Sequence, residues 1–355
     1  MEEFTSYIYA ADYCRKKEDG VPVPSQIAKA KTEVSSHICA LYDAGIPIYS
    51  REMIRDVLNQ LQSGHHKILV KGLDGNTVDF DVETGQISDS VDGFNFVIGT
   101  PFIMFVSPQA LIHQTFGYVP RTAYCSLQIF HHLEKRHRVT NEIVQFTPRL
   151  SPEQVKGFFE TNKWTWATHE VRRQLRSILL SSPALRTHID KIVAFACGTM
   201  ALSDREPWSI RSTYQHALIT TMRDDLSELL RQTRDSIQCY AQDPGYTDTD
   251  RNMLQNSGIT VLDNPHGFLE VTDSTVVLSF DAEVPVRQII ADIARPVMMI
   301  WDRSQYTEDE LTKSLTSDPD SPRVTKMIQD RYEEIDFPGD LDAFNLVAIY
   351  VRRNT

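Results

Sequence analysis

The pattern of apolar positions changes near residue 190. From Lys191 onward the chain carries short, nearly continuous apolar runs, which are typical of strands buried on both faces of a sheet. These runs are KIVAFACG, SIQCYAQDP, GITVLDN, STVVLSFD, RPVMMIWD and FNLVAIYV. Helical patterns separate them, at Pro207–Thr233, Thr247–Asn256, Val284–Ile293 and Pro322–Ile335. This alternation predicts a Rossmann-like, doubly wound α/β fold with a mostly parallel sheet. Such sheets bind ligands at the carboxyl ends of their strands, so we expect Gly198, Asp243 and Asp302 there.

Residues 1–185 have a different pattern. Two helical segments, PSQIAKAKTEVSSHICALYDAG and SREMIRDVLNQLQSG, precede KILVKGLDGNTVDFDVETG, in which Asp74, Gly75 and Asn76 predict a hairpin turn. FNFVIGTPFIMFV is a further apolar run. No flexible Gly/Ser boundary divides this half from the rest. The sequence therefore predicts an α+β cap over residues 1–185 packed on an α/β core over residues 186–355.

Composition favours a cytoplasmic globular protein. Of the 355 residues, 41% are hydrophobic and 24% are charged, and no run approaches the about 20 apolar residues of a membrane span. The N-terminal stretch lacks the basic and apolar segments of a secretion leader. The cysteines are odd in number and contain no C-x-x-C pair, which predicts neither disulfides nor zinc. They are Cys14, Cys39, Cys125, Cys197 and Cys239.

The net charge of −12 argues against a surface built as a nucleic-acid platform. Two local basic patches remain, within HHLEKRHR and KWTWATHEVRRQLR. Their candidate RNA-binding residues are Lys135, Arg136, Arg138, Arg172, Arg173 and Arg176. A solvated helix face is the alternative for each patch, because amphipathic patterns are the default for surface helices.

The first strand of the predicted core ends in ACGTMALSD, which places Gly198 in a strand-to-helix loop. A glycine there allows close approach of a ligand, and the next helix offers unpaired N–H groups to an anion. Thr199 or Ser203 is a candidate nucleophile or anion donor, unless local hydrogen bonds satisfy both hydroxyls. Because the dinucleotide, Walker and hydrolase-elbow glycine motifs are absent, the sequence predicts no cofactor.

The segment TTMRDDLSELLRQ brings Asp224, Asp225 and Glu228 together on one helix. Like charges at this spacing cost about 0.2–0.5 kcal/mol per pair, so the acids are either a solvated face or a site for a cation. We expect them to face a pocket between this helix and the N-terminal half. The magnesium motif of terpene cyclases is similar, but those enzymes are all-helical. The strand-like runs argue against that interpretation, and no metal site is predicted.

Further candidates for substrate binding lie near the predicted strand ends. They are Gly198, Arg211, Tyr214 and Gln215, together with Asp243 and Tyr246 in QDPGYTDTDRNML. Thr247 or Asp248 can cap the following helix. His266 lies in a Pro/Gly turn, where a structural role is the commoner one.

Several stretches together resemble the sensitivity-to-red-light-reduced (SRR-like) family in its fungal form. They are ACGTMALSD, TYQHALI, QDPGYTDTDRNML, GITVLDNPHGFLEV, PVRQIIADIARPVMMIWD and SPRVTKMIQDRYEEID, which cover roughly residues 190 to 335. Members of that family are implicated in circadian regulation and haem metabolism. The resemblance implies a Rossmann-type core and leaves open a non-catalytic regulatory or scaffold role.

A narrower resemblance is to fungal arginine-containing cyclodipeptide synthases, whose D-D-x-x-E motif is matched by Asp224, Asp225 and Glu228. It implies an aminoacyltransferase that forms two peptide bonds from arginyl-tRNA and a second aminoacyl-tRNA. The acids would then hold the guanidinium or accept a proton. Thr199 or Ser203 would carry the aminoacyl group, as the serine of bacterial cyclodipeptide synthases does. The chain lacks the recognisable serine loop of those bacterial enzymes, and tRNA would bind the two basic patches.

Overall fold

The structure is a computed structural model that describes residues 24–113, 120–144, 150–304, 317–339, 342–344 and 346–353. The chain forms two compact units, Met1–Thr147 and Pro148–Thr355. The second unit thus begins before the expected boundary at residue 185. The N-terminal stretch considered for a leader, with Cys14, lies outside the described residues.

The first unit contains three helices and five strands in its described residues. These are α1 (Pro24–Asp43), α2 (Arg51–Gln62), β1 (Lys67–Lys71), β2 (Thr77–Asp81), β3 (Ile87–Val91), β4 (Phe94–Phe105), α3 (Pro108–His113) and β5 (Leu127–His137). Strands β1 and β2 pair antiparallel, and Gly75 in their turn has a φ of 85°. Asp74 Oδ1 accepts a hydrogen bond from the Asn76 N–H at 3.1 Å. The predicted hairpin is confirmed.

Strands β3, β4 and β5 form a separate antiparallel sheet. Lys135 and Arg136 lie on β5, so a helix face is the wrong description of this basic patch. Arg136 pairs with Glu134 at 2.6 Å, and Lys135 Nζ lies 4.1 Å from the ring centre of Phe94. Arg138 follows the end of β5.

The second unit is an α/β sandwich. Its elements are α4 (Pro152–Thr168), α5 (Glu170–Ser181), β6 (Lys191–Phe195), α6 (Pro207–Leu230), β7 (Gln238–Gln242), α7 (Asp248–Asn256), β8 (Ile259–Val261), α8 (His266–Glu270), β9 (Thr275–Ser279), α9 (Val286–Ile293), β10 (Met298–Asp302), α10 (Pro322–Arg331), β11 (Tyr332–Asp336) and β12 (Val347–Arg352). In the described residues its sheet has the order β11-β12-β10-β9-β6-β7-β8. Strand β12 is antiparallel to both neighbours, and the pairs from β10 to β8 are parallel. The predicted mostly parallel sheet is confirmed.

Strand β11 was not predicted, because its sequence was assigned to a helix that continued to Ile335. The helix α10 ends at Arg331, and Tyr332 is already extended, with φ −123° and ψ 148°. Among the described strands, β11 pairs only with β12, so YEEID keeps three exposed side chains and lacks the continuous apolar run of a central strand. An edge strand of this composition resembles the polar end of a helix in sequence.

The core explains why the central strands read as apolar runs. All five residues of β9 and four of the five in β6 and in β10 are buried. Helix α6 crosses this sheet beside α4, with Ala217, Leu218 and Met222 in the common core. The loop between β6 and α6 is thereby held at the carboxyl edge of the sheet.

Candidate functional site

The loop that follows β6 turns sharply at the carboxyl edge. Ala196 and Gly198 have φ values of 56° and 69°, in the left-handed region that favours glycine. The N–H of Gly198 donates to Asp243 Oδ2 at 2.7 Å, which joins this loop to the end of β7. A Cβ added at Gly198 would meet no atom within 4 Å, so open space lies beside this glycine. Gly198, Asp243 and Asp302 occupy the predicted carboxyl-end positions.

Asp243 is a half-buried carboxylate at this edge. It accepts a second hydrogen bond, from the Gly245 N–H at 2.7 Å. Burial raises the pKa of Asp243, the charge of Glu283 raises it further, and the two N–H donors oppose the rise. A carboxylate with a raised pKa holds a proton more readily and is suited to proton transfer.

The Thr199 hydroxyl is held by the protein itself. It donates to Asp250 Oδ2 at 2.6 Å and accepts from the Ala201 N–H at 3.0 Å. Asp250 is fully buried, and it also closes a capping box with Thr247 at the start of α7, as predicted for Thr247. Ser203 accepts a bond from the Arg205 N–H at 3.2 Å. Hydrogen bonds within the protein therefore satisfy the Thr199 hydroxyl, which donates its proton to the buried carboxylate of Asp250.

A series of buried, hydrogen-bonded side chains lies next to the loop that follows β6. Ser212 donates to the Gly198 carbonyl at 2.7 Å, and His216 Nδ1 lies 2.7 Å from the Ser212 carbonyl. Because a carbonyl only accepts, Nδ1 carries the proton, and Nε2 accepts from the Tyr246 hydroxyl at 2.7 Å. Burial lowers the pKa of His216 to about 4, so the ring is neutral. Burial also raises the pKa of Cys197, which excludes a thiolate nucleophile there.

The amino end of α6 lies at the same edge and is incompletely satisfied. Its N-cap residue, Glu206, makes no side-chain capping bond, and Pro207 at the first position has no N–H. Within the described ranges the buried Ser209 hydroxyl has no hydrogen-bond partner. Arg211 lies two residues after Ser209. It has no ion pair among the described residues, and its Nε is buried without an acceptor.

The other predicted substrate residues are occupied in packing. The Tyr214 ring packs edge-on against Trp166, with ring centres 6.4 Å apart. Gln215 is buried and donates to the Ala343 carbonyl at 3.1 Å. The Tyr246 hydroxyl is hydrogen-bonded to the buried His216. Gly198, Arg211 and Asp243 are partly exposed, and they stay candidate substrate residues.

The acidic motif lies at the opposite end of α6 and is joined to α5. Asp225, whose side chain is 3% exposed, pairs with Arg172 at 2.8 Å and also with Arg176. Arg176 donates to both carboxylate oxygens of Glu228 at 2.8 Å, although Glu228 is 62% exposed. These two bonds raise the pKa of Arg176. The acids were expected to face a pocket between this helix and the N-terminal half, whereas Asp225 and Glu228 are instead paired with arginines of α5.

The third acid, Asp224, pairs with Arg234 at 2.6 Å and with Arg223 at 3.5 Å. Arg223 in turn donates to the Gly258 carbonyl, which precedes β8, so this cluster lies at the amino edge of the sheet. About 18 residues of α6 separate it from the loop after β6, or about 27 Å at 1.5 Å per residue. Thr199 or Ser203 cannot act on the same atom as Asp225.

The basic stripe of α5 differs from the expectation of a free surface. Arg172 and Arg176 are the partners of the acidic motif, and Arg173 pairs with Glu170 one turn away. Arg173 is the most exposed of the three. The two sequence patterns, acids and arginines, therefore form one ion-pair cluster.

Further acids line the carboxyl edge. Burial raises the pKa of Asp302 at the end of β10, and Asp281 adds to the rise. The buried Arg287 pairs with Asp320 at 2.7 Å and with Asp318 at 3.3 Å. In the described residues no group of three or more His, Cys, Asp or Glu side chains is arranged to hold a metal ion.

Sequence reasoning missed Ser209, Ser212 and the buried role of His216. These residues are spaced i, i+3 and i+7, so they share one helix face. Their face is packed, with all three residues at most 1% exposed. The available signal in the sequence was the helical spacing of these three polar residues.

Comparison with known families identifies the second unit. The model of the SRR1 domain family matches residues 171–351, which is half of the chain. The chain belongs to the SRR1 domain family. The match begins at α5 and ends in β12, so the SRR1 domain includes both ends of α6 and the ion-pair cluster. The SRR-like assignment made from sequence is confirmed.

Solved structures similar to the chain include methyltransferases. An O-methyltransferase family protein from Burkholderia thailandensis is 12% identical, with a TM-score of 0.29, over 58% of this chain and 63% of that chain. The N-methyltransferase NodS from Bradyrhizobium japonicum WM9 is 9% identical, with a TM-score of 0.27, over 53% of this chain and 99% of that one. The chain thus spans less than two thirds of the length of the first of these proteins. No curated protein matches the chain. None of the described helices combines the length and apolarity required to cross a bilayer.

Proposed function

We propose that this SRR1 domain protein is a tRNA-dependent cyclodipeptide synthase, and that its reaction takes place at the carboxyl edge of the sheet. Its substrates are arginyl-tRNA and a second aminoacyl-tRNA. The observation that carries the proposal is a half-buried carboxylate, Asp243, hydrogen-bonded to Gly198 beside open space. The D-D-x-x-E resemblance supplies the reaction class.

The reaction needs a base but no cofactor. The amine of one aminoacyl group attacks the ester carbonyl of the other, so that a C–N bond forms and a C–O bond breaks. The attacking ammonium loses two protons over this step: one passes to the tRNA oxygen that is released as a hydroxyl, and the other passes to a base. The second amine then closes the ring in the same way. Asp243, with its raised pKa, is positioned to accept the ammonium proton.

Charge at this edge favours a cationic amino acid. Besides burial, the charge of Glu283 raises the pKa of Asp243, and the charge of Asp281 raises the pKa of Asp302, so the acids lie near one another in two pairs. Arg287 is a buried counter-charge and is already paired. An arginyl group brings an ammonium and a guanidinium, which carboxylates bind with charge-assisted hydrogen bonds.

The D-D-x-x-E acids have a different role in this proposal. Asp225 fixes α5 against α6 through Arg172 and Arg176, and so supports the helix whose other end reaches the reaction site. In the version drawn from sequence, these acids instead hold the substrate guanidinium, which would take the place of Arg176 on Glu228. That version stays a prediction, and the same experiment tests it.

Binding of tRNA is assigned to the basic patches, with Arg173 and Arg138 as the residues to test. Arg172 and Arg176 are poor choices for charge reversal, because their replacement would leave Asp225 buried without a partner. Reversal of Arg173 and Arg138 to Glu should weaken tRNA binding and flatten its salt dependence. Filter binding at several salt concentrations measures both, and unchanged binding would assign tRNA to another surface.

A non-catalytic regulatory or scaffold role is the second candidate. One observation favours it: each acid of the D-D-x-x-E motif has an arginine partner within the chain. In that case the SRR1 domain would present a stable surface and release no product.

Expression in a bacterial host that supplies arginyl-tRNA distinguishes the two candidates. Mass spectrometry of the medium should reveal diketopiperazines that contain arginine. Asp243→Asn should abolish them, whereas Asp235→Asn, which changes an exposed acid just after α6, is the matched control and should retain them. Absence of product from a folded, soluble wild-type protein would support the regulatory role.

A further inference from the structure

The Asp243 carboxylate is held by two backbone N–H groups that belong to different loops. Gly198, in the loop after β6, donates to Oδ2 at 2.7 Å, and Gly245, in the loop after β7, donates to Oδ1 at 2.7 Å. Such hydrogen bonds weaken when their distance or angle is disturbed. The orientation of this carboxylate therefore depends on how firmly each loop is held in place.

The first loop is anchored on α6 by Ser212. The Ser212 hydroxyl donates to the Gly198 carbonyl at 2.7 Å, and the same oxygen lies 3.3 Å from His216 Nδ1. Because Nδ1 carries the ring proton, it donates to this hydroxyl as well as to the Ser212 carbonyl. Ser212 and His216 are at most 1% exposed, so water does not compete for these bonds.

The second loop is anchored on the same ring. The Tyr246 hydroxyl donates to His216 Nε2 at 2.7 Å, and Tyr246 directly follows Gly245. The Tyr246 N–H also donates to the Asp243 carbonyl at 3.4 Å. A neutral imidazole offers one donor and one acceptor on a single rigid ring. His216 therefore uses one nitrogen for each loop.

We infer that His216 is a positioning residue that joins the two loops and thereby fixes the Asp243 carboxylate beside the open space at Gly198. The hydrogen bonds of its ring go to Ser212 and Tyr246, so it acts on Asp243 through them. Its part in a reaction rests on the proposed function, whereas its effect on the carboxylate does not.

NMR titration of the full chain with isotope-labelled aspartate tests this role, and Asp243→Asn identifies the signal. In His216→Gln, Ser212→Ala and Tyr246→Phe, the acid dissociation constant of Asp243 should fall at least about threefold, because a loosened N–H donor stabilises the ionised form less. Ser212→Ala and Tyr246→Phe each remove one connection and keep the ring. They therefore test the role even where His216→Gln does not fold.

Two matched variants control for a general loosening of the fold. Ser227→Ala removes a buried hydroxyl of α6 that donates to a carbonyl of the same helix at 2.7 Å. Tyr332→Phe removes a buried hydroxyl that donates to the carbonyl before Val297 at 2.8 Å. Both residues lie outside the two loops, so both variants should leave the Asp243 titration unchanged.

The charged groups that act on Asp243 are kept in every variant. The charges of Glu283 and Asp250 raise its pKa, and neither acid is replaced. Burial raises the pKa of Cys197 and of Tyr246 well above their ordinary values, so both are neutral throughout an acidic titration. An unchanged Asp243 titration in folded Ser212→Ala and Tyr246→Phe, or an equal change in the controls, would overturn the inference.

The reaction provides a second measurement under the proposed function. The same three variants should lower the rate constant for diketopiperazine formation at saturating aminoacyl-tRNA at least about tenfold, with little change in KM, because orientation acts on the reacting groups. The acidic limb of the pH–rate profile should move to higher pH together with the Asp243 titration. A profile that stays fixed while the titration moves would overturn the role of His216 in the reaction.

The outcomes separate this inference from the proposed function. A changed Asp243 titration in the variants, with no diketopiperazine from the wild type, would sustain the positioning role and refute the synthase. Diketopiperazine formation by the wild type, with an unchanged Asp243 titration in the variants, would sustain the synthase and refute the positioning role.

Discussion

The polar residues at the two ends of α6 differ in whether they have hydrogen-bond or ion-pair partners. At the carboxyl end, the acids and arginines satisfy one another, and Asp225 alone receives two guanidinium groups. At the amino end, the buried Ser209 hydroxyl and the Arg211 Nε have no hydrogen-bond partner among the described residues. Conspicuous charge in this sequence therefore marks a structural ion-pair cluster, whereas the unsatisfied polar groups lie at the other end of the helix. The predictions below test this contrast.

The largest effect is expected at the satisfied end. Asp225→Asn leaves the largely buried Arg172 without its carboxylate, so the free energy of unfolding should fall by about 3–5 kcal/mol. Asp224→Asn is the control, because Asp224 is about half exposed and its loss should cost no more than about 1 kcal/mol. Urea unfolding measures both variants. Equal losses would show that Asp225 is not the structural member of the motif.

The second prediction concerns pH and the buried His216 behind the amino end. Its pKa falls from 6.5 to about 4 on folding, so the unfolded state binds more protons between these values. The stabilisation is complete above pH 6.5 and is lost as the pH falls toward 4, on the order of 3 kcal/mol in total. The stability difference between the wild type and His216→Gln should therefore shrink over this range. A constant difference from pH 7 to pH 4 would contradict a neutral buried ring.

The smallest effect separates two serines on one helix face. Ser212→Ala removes the donor to the Gly198 carbonyl and should cost about 1–2 kcal/mol. Ser209→Ala removes a hydroxyl that has no partner among the described residues, so it should be neutral, or stabilising by up to about 1 kcal/mol. Thermal unfolding of the pair provides the comparison. A clear loss of stability in Ser209→Ala would mean that its hydroxyl is satisfied in the free protein.

The fold was largely predictable because central parallel strands are buried on both faces. Strands β6, β9 and β10 consequently appear in the sequence as continuous apolar runs. The turn at Gly198 was predictable because this glycine comes soon after the end of the first of these runs. The edge strand β11 escaped prediction because one partner strand and exposed side chains leave no such run.

The site was less predictable because partners are set by tertiary structure. Sequence places Arg172 and Asp225 more than fifty residues apart, and only the packing of α5 on α6 joins them. In the same way, the lack of a partner at Ser209 is a property of the whole neighbourhood. Composition and spacing show which residues are polar, but not which of them are already satisfied.

The measurement that tests the central claim most directly compares product formation by variants at the two ends of α6. Arg211→Gln and Glu228→Gln each alter a partly or largely exposed side chain, so both proteins should stay folded. With arginine-containing diketopiperazine quantified by mass spectrometry, Arg211→Gln should lose at least 90% of the product, a tenfold effect that corresponds to about 1.4 kcal/mol. Glu228→Gln should keep most of it. Loss of product in Glu228→Gln with full activity in Arg211→Gln would assign the reaction to the acidic end and contradict the account.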